Sequence, residues 1–108
     1  MPTYTVEQNY EQASALLKAM SNPHRLLVLC HLARGEKCVG ELEAIVGLSQ
    51  SALSQHLARL RHDGIVKTRR DAQTIYYSLQ GDEATTIIEA LAGLYEAPAA
   101  VEATRIAV

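Results

Sequence analysis

Gln50, Ser51, Ser54 and Gln55 place small amides and hydroxyls where an ordinary surface helix would carry Glu and Lys. Glutamine pairs bidentately with adenine, and serine bonds several base edges, so these types at this spacing suit the floor of a DNA major groove. A second set follows at once. Arg59, Arg61, Lys67, Arg69 and Arg70 are five of the ten basic residues, packed into twelve positions with only Asp63 to offset them. The local charge is +4 on a chain whose net charge is −2. Such a patch binds phosphate while the acidic remainder keeps the protein in solution. A charge run alone reads first as a solvated helix face followed by a charged turn; the amides and hydroxyls beside it turn the reading toward DNA. The third set is a pair of thiols, Cys30 and Cys38.

Other chemistry finds no support. There is no Gly-x-Ser-x-Gly elbow, no Gly-rich phosphate loop and no His-Glu-x-x-His, and 108 residues leave little room for a ligand-burying cleft. Catalysis is not expected, and no cofactor is called for. No apolar run approaches the roughly 18 residues of a membrane span, and no basic stretch precedes an apolar one at the N-terminus. The cysteines are therefore expected to be free thiols in a cytoplasmic protein. With neither Trp nor Phe, the single core must be aliphatic.

The elements that position these residues can be read from periodicity and caps. Val6, Tyr10, Ala13, Leu16, Leu17 and Met20 mark one helix from about Thr5 to Met20. Asn22 caps a second, with Pro23 at its first position, running to Arg34 before Gly35. Val39 to Val46 is a short third helix, with Val39, Leu42, Ile45 and Val46 inward. Gly47-Leu48 breaks it, and Ser49 caps a fourth to about His62, buried along Leu53, Leu57 and Leu60. Ile65 to Arg70 and Thr74 to Leu79, around the turn Asp71-Ala72-Gln73, read as a hairpin. A last helix spans about Asp82 to Tyr95, and residues 97–108 are expected to be a frayed tail on a single domain, 1–108.

Two short helices about a tight Gly turn, followed by a basic hairpin, make a mainly α fold with a β-hairpin wing, the winged helix-turn-helix. Gln50, Ser51, Ser54, Gln55 and Arg59 then face the major groove. Arg69 and Arg70, with Gln73 and Thr74 across the turn, reach phosphates or the adjacent minor groove, and Arg61 and Lys67 are phosphate contacts. One such unit binds weakly. Pairing two doubles the contacts and demands an inverted repeat. The first and last helices have apolar faces too wide for a monomer to cover, which places a homodimer interface on Val6, Tyr10, Leu16, Leu17, Ile87, Leu91, Leu94 and Tyr95.

The stretch Leu16-Leu17-Lys18-Ala19-Met20-Ser21-Asn22-Pro23-His24-Arg25-Leu26 resembles the opening of the ArsR/SmtB family of bacterial repressors. So do Val39-Gly40-Glu41-Leu42, the run from Leu48 to Arg61, Asp63-Gly64-Ile65-Val66, and Arg69 through Tyr77. The likeness covers roughly residues 13 to 95. It implies a winged-helix homodimer that represses operons at imperfect inverted repeats and is usually released by an inducer.

The resemblance leaves the inducer open. Metal-sensing members carry paired cysteines at the third helix; here Cys38 holds the first position and Gly40 the second. The last helix, where other members bind zinc, has Asp82, Glu83, Glu89 and Glu96 but no His. A metal-responsive repressor is thus a minor alternative. The branch that senses persulfides, near the nodulation and haemolysin regulators, places a reactive cysteine where this chain has Cys30. Its second cysteine is replaced here, in Leu94-Tyr95-Glu96-Ala97. Release by a sulfane-sulfur or redox signal at Cys30, with or without Cys38, stands beside a regulator that has no inducer site. Cys38, at a helix start, is expected to have some thiolate character, but it reads first as an incidental surface thiol. Cys30, among Leu26, Leu27 and Ala33, reads first as a small buried hydrophobe.

Overall fold

A computed structural model describes residues 3–96, the first of them by its backbone alone. The chain begins with α1 (Thr3–Gln8) and α2 (Tyr10–Met20). A single helix was the expectation across this stretch, and Asn9 divides it. Its φ of −120° and ψ of 24° leave the helical region, and its side-chain amide donates to the carbonyl of Thr5 at 2.8 Å. Asparagine competes with the helix for backbone groups, while apolar spacing runs unchanged through the break.

Helix α3 (Pro23–Leu32) starts at the expected cap. Asn22 Oδ1 accepts from the N–H groups of His24 and Arg25 at 2.9 and 3.1 Å, and Pro23 needs no partner for its nitrogen. The helix stops two residues short of Arg34. The next element, β1 (Lys37–Cys38), has no counterpart in the sequence reading. Then come α4 (Val39–Val46), α5 (Gln50–His62), β2 (Val66–Asp71), β3 (Thr74–Leu79) and α6 (Glu83–Tyr95). Gly47 ends α4 with a left-handed φ of 74°, and Ser49 Oγ accepts from Ala52 N–H at 3.2 Å to open α5.

The sheet is antiparallel in the order β1-β3-β2. Asp71 pairs with Thr74 and belongs to the strand, so the turn is Ala72-Gln73 rather than three residues long. Ala72 makes this turn with φ of 56°. The register puts Val66, Thr68, Tyr77 and Leu79 on one face and Arg69, Tyr76 and Cys38 on the other.

One aliphatic cluster holds the elements together. It joins Ala19 and Met20 of α2, Val28, Leu29 and Leu32 of α3, Leu42 of α4, Leu53, Leu57 and Leu60 of α5, Ile65 and Val66 at the wing, and Ala84 of α6. Every helix from α2 to α6 contributes, and α5 is oriented by the side that carries Leu53, Leu57 and Leu60. Val39 and Val46 pack half-buried against this cluster, and Ile45 is also half-buried. Among the described residues no helix is long and apolar enough to cross a membrane. The expected tail, 97–108, lies outside the described residues.

Candidate nucleic-acid interface

Leu53, Leu57 and Leu60 lock one side of α5 into the core, and the helical period then forces Gln50, Ser51, Ser54, Gln55 and Arg59 outward; all five are exposed. The four polar side chains occupy the first two turns, next to backbone N–H groups that the helix itself cannot satisfy. The last turn carries Arg59, Arg61 and His62. No acidic residue interrupts α5 before Asp63 caps its end.

Two contacts fix α5 from behind. Arg25 of α3 donates from Nε to the carbonyl of Ala19 at 2.7 Å and from Nη2 to that of Lys18 at 3.4 Å, both at the end of α2. Its Nη1 reaches His56 Nδ1 at 3.5 Å, and the ring of His24 lies 5.7 Å from that of His56. Desolvation, then the charges of Arg25 and His24, hold the His56 imidazole below its ordinary pKa. Neither Arg25 nor His56 stands out in the sequence, because the spacing that joins them is tertiary.

The basic candidates divide into two groups. Arg59 Nε donates to Asp63 Oδ2 at 2.9 Å, and this pair keeps the Asp63 carboxyl below its usual range. Arg69 is gripped by both oxygens of Glu36, each at 2.7 Å, and its guanidinium lies 4.5 Å from the centre of the Tyr76 ring. Among the described residues Arg61, Lys67 and Arg70 make no ion pair and stay exposed. Gln73 and Thr74 are exposed at the wing turn. Glu36 and Tyr76 were missed as partners of Arg69. The cross-strand position of Tyr76 follows once the turn is known to be two residues, but Glu36 leaves no local trace.

The thiols do not meet as a pair, and both are free and half-buried. Cys38 ends β1 and heads α4, its N–H donating to Glu41 Oε1 at 3.0 Å; that bond holds the Glu41 carboxyl below its ordinary pKa. Cys30 lines a cavity of about 320 Å³ with Leu26, Ile88, Leu91, Ala92 and Tyr95, between α3 and α6. Among the described residues no three His, Cys, Asp or Glu side chains cluster as metal ligands do.

The expected pairing face splits as well. Val6, Tyr10, Leu17, Leu94 and Tyr95 are exposed, the last at 86%. Leu16 and Ile87 pack half-buried on the core, and Leu91 is half-buried beside Cys30. Tyr4 and Leu27 add exposed apolar surface that the sequence reading did not name.

A polar-faced helix after a tight turn, with a three-stranded wing beside it, defines a winged helix-turn-helix DNA-binding regulator of transcription. The profile of the arsR family of bacterial regulatory proteins matches residues 22–68. The transcriptional activator HlyU of Vibrio cholerae serotype O1 is 53% identical over 90 residues, 83% of each chain. The crystal structure of the transcriptional repressor BigR from Xylella fastidiosa superposes with a TM-score of 0.85 at 40% identity, covering 91% of this chain and all (100%) of that one. A homodimeric winged helix-turn-helix DNA-binding domain from Mycobacterium bovis matches with a TM-score of 0.73 at 26% identity, over 82% of each chain. The chain belongs to the ArsR family of bacterial transcription regulators.

Proposed function

We propose that this regulator acts in the cytoplasm as a homodimeric repressor, setting α5 of each copy into successive major grooves of an inverted repeat. The observation that carries the reading is the outward face of α5: four small hydrogen-bonding side chains, no acid, and a basic last turn. Gln50, Ser51, Ser54 and Gln55 read bases; Arg61, Lys67 and Arg70 meet phosphates. Arg59 and Arg69 reach DNA only by leaving the carboxylates that hold them. The exposed side chains of α1, α2 and α6 suit pairing between copies, and a domain of the same fold from Mycobacterium bovis is homodimeric.

Salt dependence tests the reading directly. A dimer neutralising about 6 to 10 phosphates loses roughly 10³ to 10⁵ in affinity between about 50 and 200 mM salt. An affinity for duplex DNA that ignored salt over that range would defeat the proposal.

A second reading concerns the signal. Cys30 sits half-buried at an apolar cavity shared with α6 rather than sealed in the core. Modification there would push on the helix that carries Leu94 and Tyr95. Release of DNA by inorganic polysulfide, reversed by dithiothreitol and lost in Cys30→Ser, is the expected outcome. An unchanged response in that variant would remove Cys30 from the account.

A further inference from the structure

We infer that Glu36, Arg69 and Tyr76 form a brace that sets the angle of the wing, so that Arg69 is a positioning residue and Arg70 is the wing's phosphate contact. This rests on the reading of the wing as a DNA-contacting element.

Arg69 lies on β2, at one edge of the sheet, and Glu36 lies in the turn that leads into β1, at the other edge. Two strand spacings, roughly 9–10 Å, separate these edges. The arginine crosses that width over Tyr76 of the central strand, which is its register partner. Parallel bonds from Nε and Nη2 to the two Glu36 oxygens, both 2.7 Å, fix the plane of the guanidinium as well as its position. The carboxyl of Glu36 is held below its usual range by that bond, and the Arg69 pKa is raised in turn. A guanidinium committed to a carboxylate on its Nε/Nη2 edge and to a ring on its face keeps only its Nη1 edge for a phosphate, with its charge already balanced.

Arg70, equally exposed, differs in its face and, among the described residues, in having no ion pair. Strand alternation turns it to the opposite side, where it pairs in register with Ile75, and it is exposed. Adjacent arginines, indistinguishable in the sequence, are thus given separate tasks by the pleat. The brace ties β2 to the turn that launches the helix-turn-helix, and Arg70, without a carboxylate partner among the described residues, is left to meet the backbone.

The experiment is fluorescence anisotropy of the full chain on a random-sequence duplex, across about 50 to 200 mM salt. Arg70→Ala should lower the slope of log affinity against log salt by about 0.9 per subunit. Glu36→Gln and Arg69→Gln should weaken binding several-fold while leaving the slope unchanged, and the swap Glu36→Arg with Arg69→Glu should recover most of the loss. Removing an acid near DNA ordinarily strengthens binding, so the sign for Glu36→Gln is decisive. Tighter binding by Glu36→Gln, or a slope lowered by Arg69→Gln, would overturn the brace and leave the wing in contact with DNA. An Arg70→Ala variant identical to the parent in affinity and slope would overturn the wing contact itself.

Discussion

Arg25 joins two elements that are distant in the chain: it holds the carbonyl of Ala19 at 2.7 Å while its Nη1 stands 3.5 Å from His56 Nδ1. An arginine can only donate, so Nδ1 of His56 must carry its lone pair and the proton must sit on Nε2. The end of α2 and the middle of α5 are therefore linked through an imidazole that has to be neutral.

That requirement gives a pH dependence. The folded His56 pKa lies below its ordinary 6.5, so below that pH the unfolded chain takes up the proton more readily than the folded one. The contribution is complete above about 6.5 and declines as pH falls toward the lowered folded value. Glu36 and Glu41 titrate below 4.5 and Asp63 below 3.8, so they leave this window undisturbed. Urea midpoints should fall between about pH 7.5 and 5.5, and His56→Gln should flatten that fall.

Gln55→Ala should relax sequence choice. The expected cost is about 1–3 kcal/mol on the preferred site and little on random DNA. Competition anisotropy with the two duplexes measures the difference. Equal losses on both would take Gln55 out of the groove.

Leu53→Ala should cost about 2–5 kcal/mol of stability, because Leu53 is fully buried where α5 meets the core. Chemical denaturation checks it. A loss under about 1 kcal/mol would mean that the α5 packing described above is wrong.

Ala72→Gly should stabilise the wing by about 0.5 kcal/mol. The left-handed backbone at Ala72 costs an L-residue about 1–2 kcal/mol, which outweighs the extra chain entropy of glycine. Hydrogen exchange in β2 and β3 should slow correspondingly.

The caps explain which parts of this fold could be read from the sequence. Asn22-Pro23, Gly47 and Ser49 each signal a boundary through their own side chain or backbone freedom, and α4 and α5 fall where they say. Asn9 sends a local signal too, but Val6, Tyr10 and Ala13 keep their helical spacing across it and mask the break. Strand β1 has two residues and no period, and it exists only because Tyr76 and Tyr77 stand opposite it. The turn was misread by one residue because alanine rarely takes the conformation that Ala72 adopts. Base-reading candidates were visible in α5 because composition and period coincide there. The partner of Arg69 was not, since Glu36 lies 33 residues away.

Cys38 belongs to two elements at once, closing β1 against the central wing strand and heading α4 in the next step of the chain. Wing and helix-turn-helix are therefore cut from one piece, like the jaw of a caliper. In the proposed assembly of two copies through α1, α2 and α6, the adjustable quantity would be the gap between jaws. On that proposal a signal at those helices would need no route into the reading head; a change of pitch between the copies would be enough to spoil the measurement.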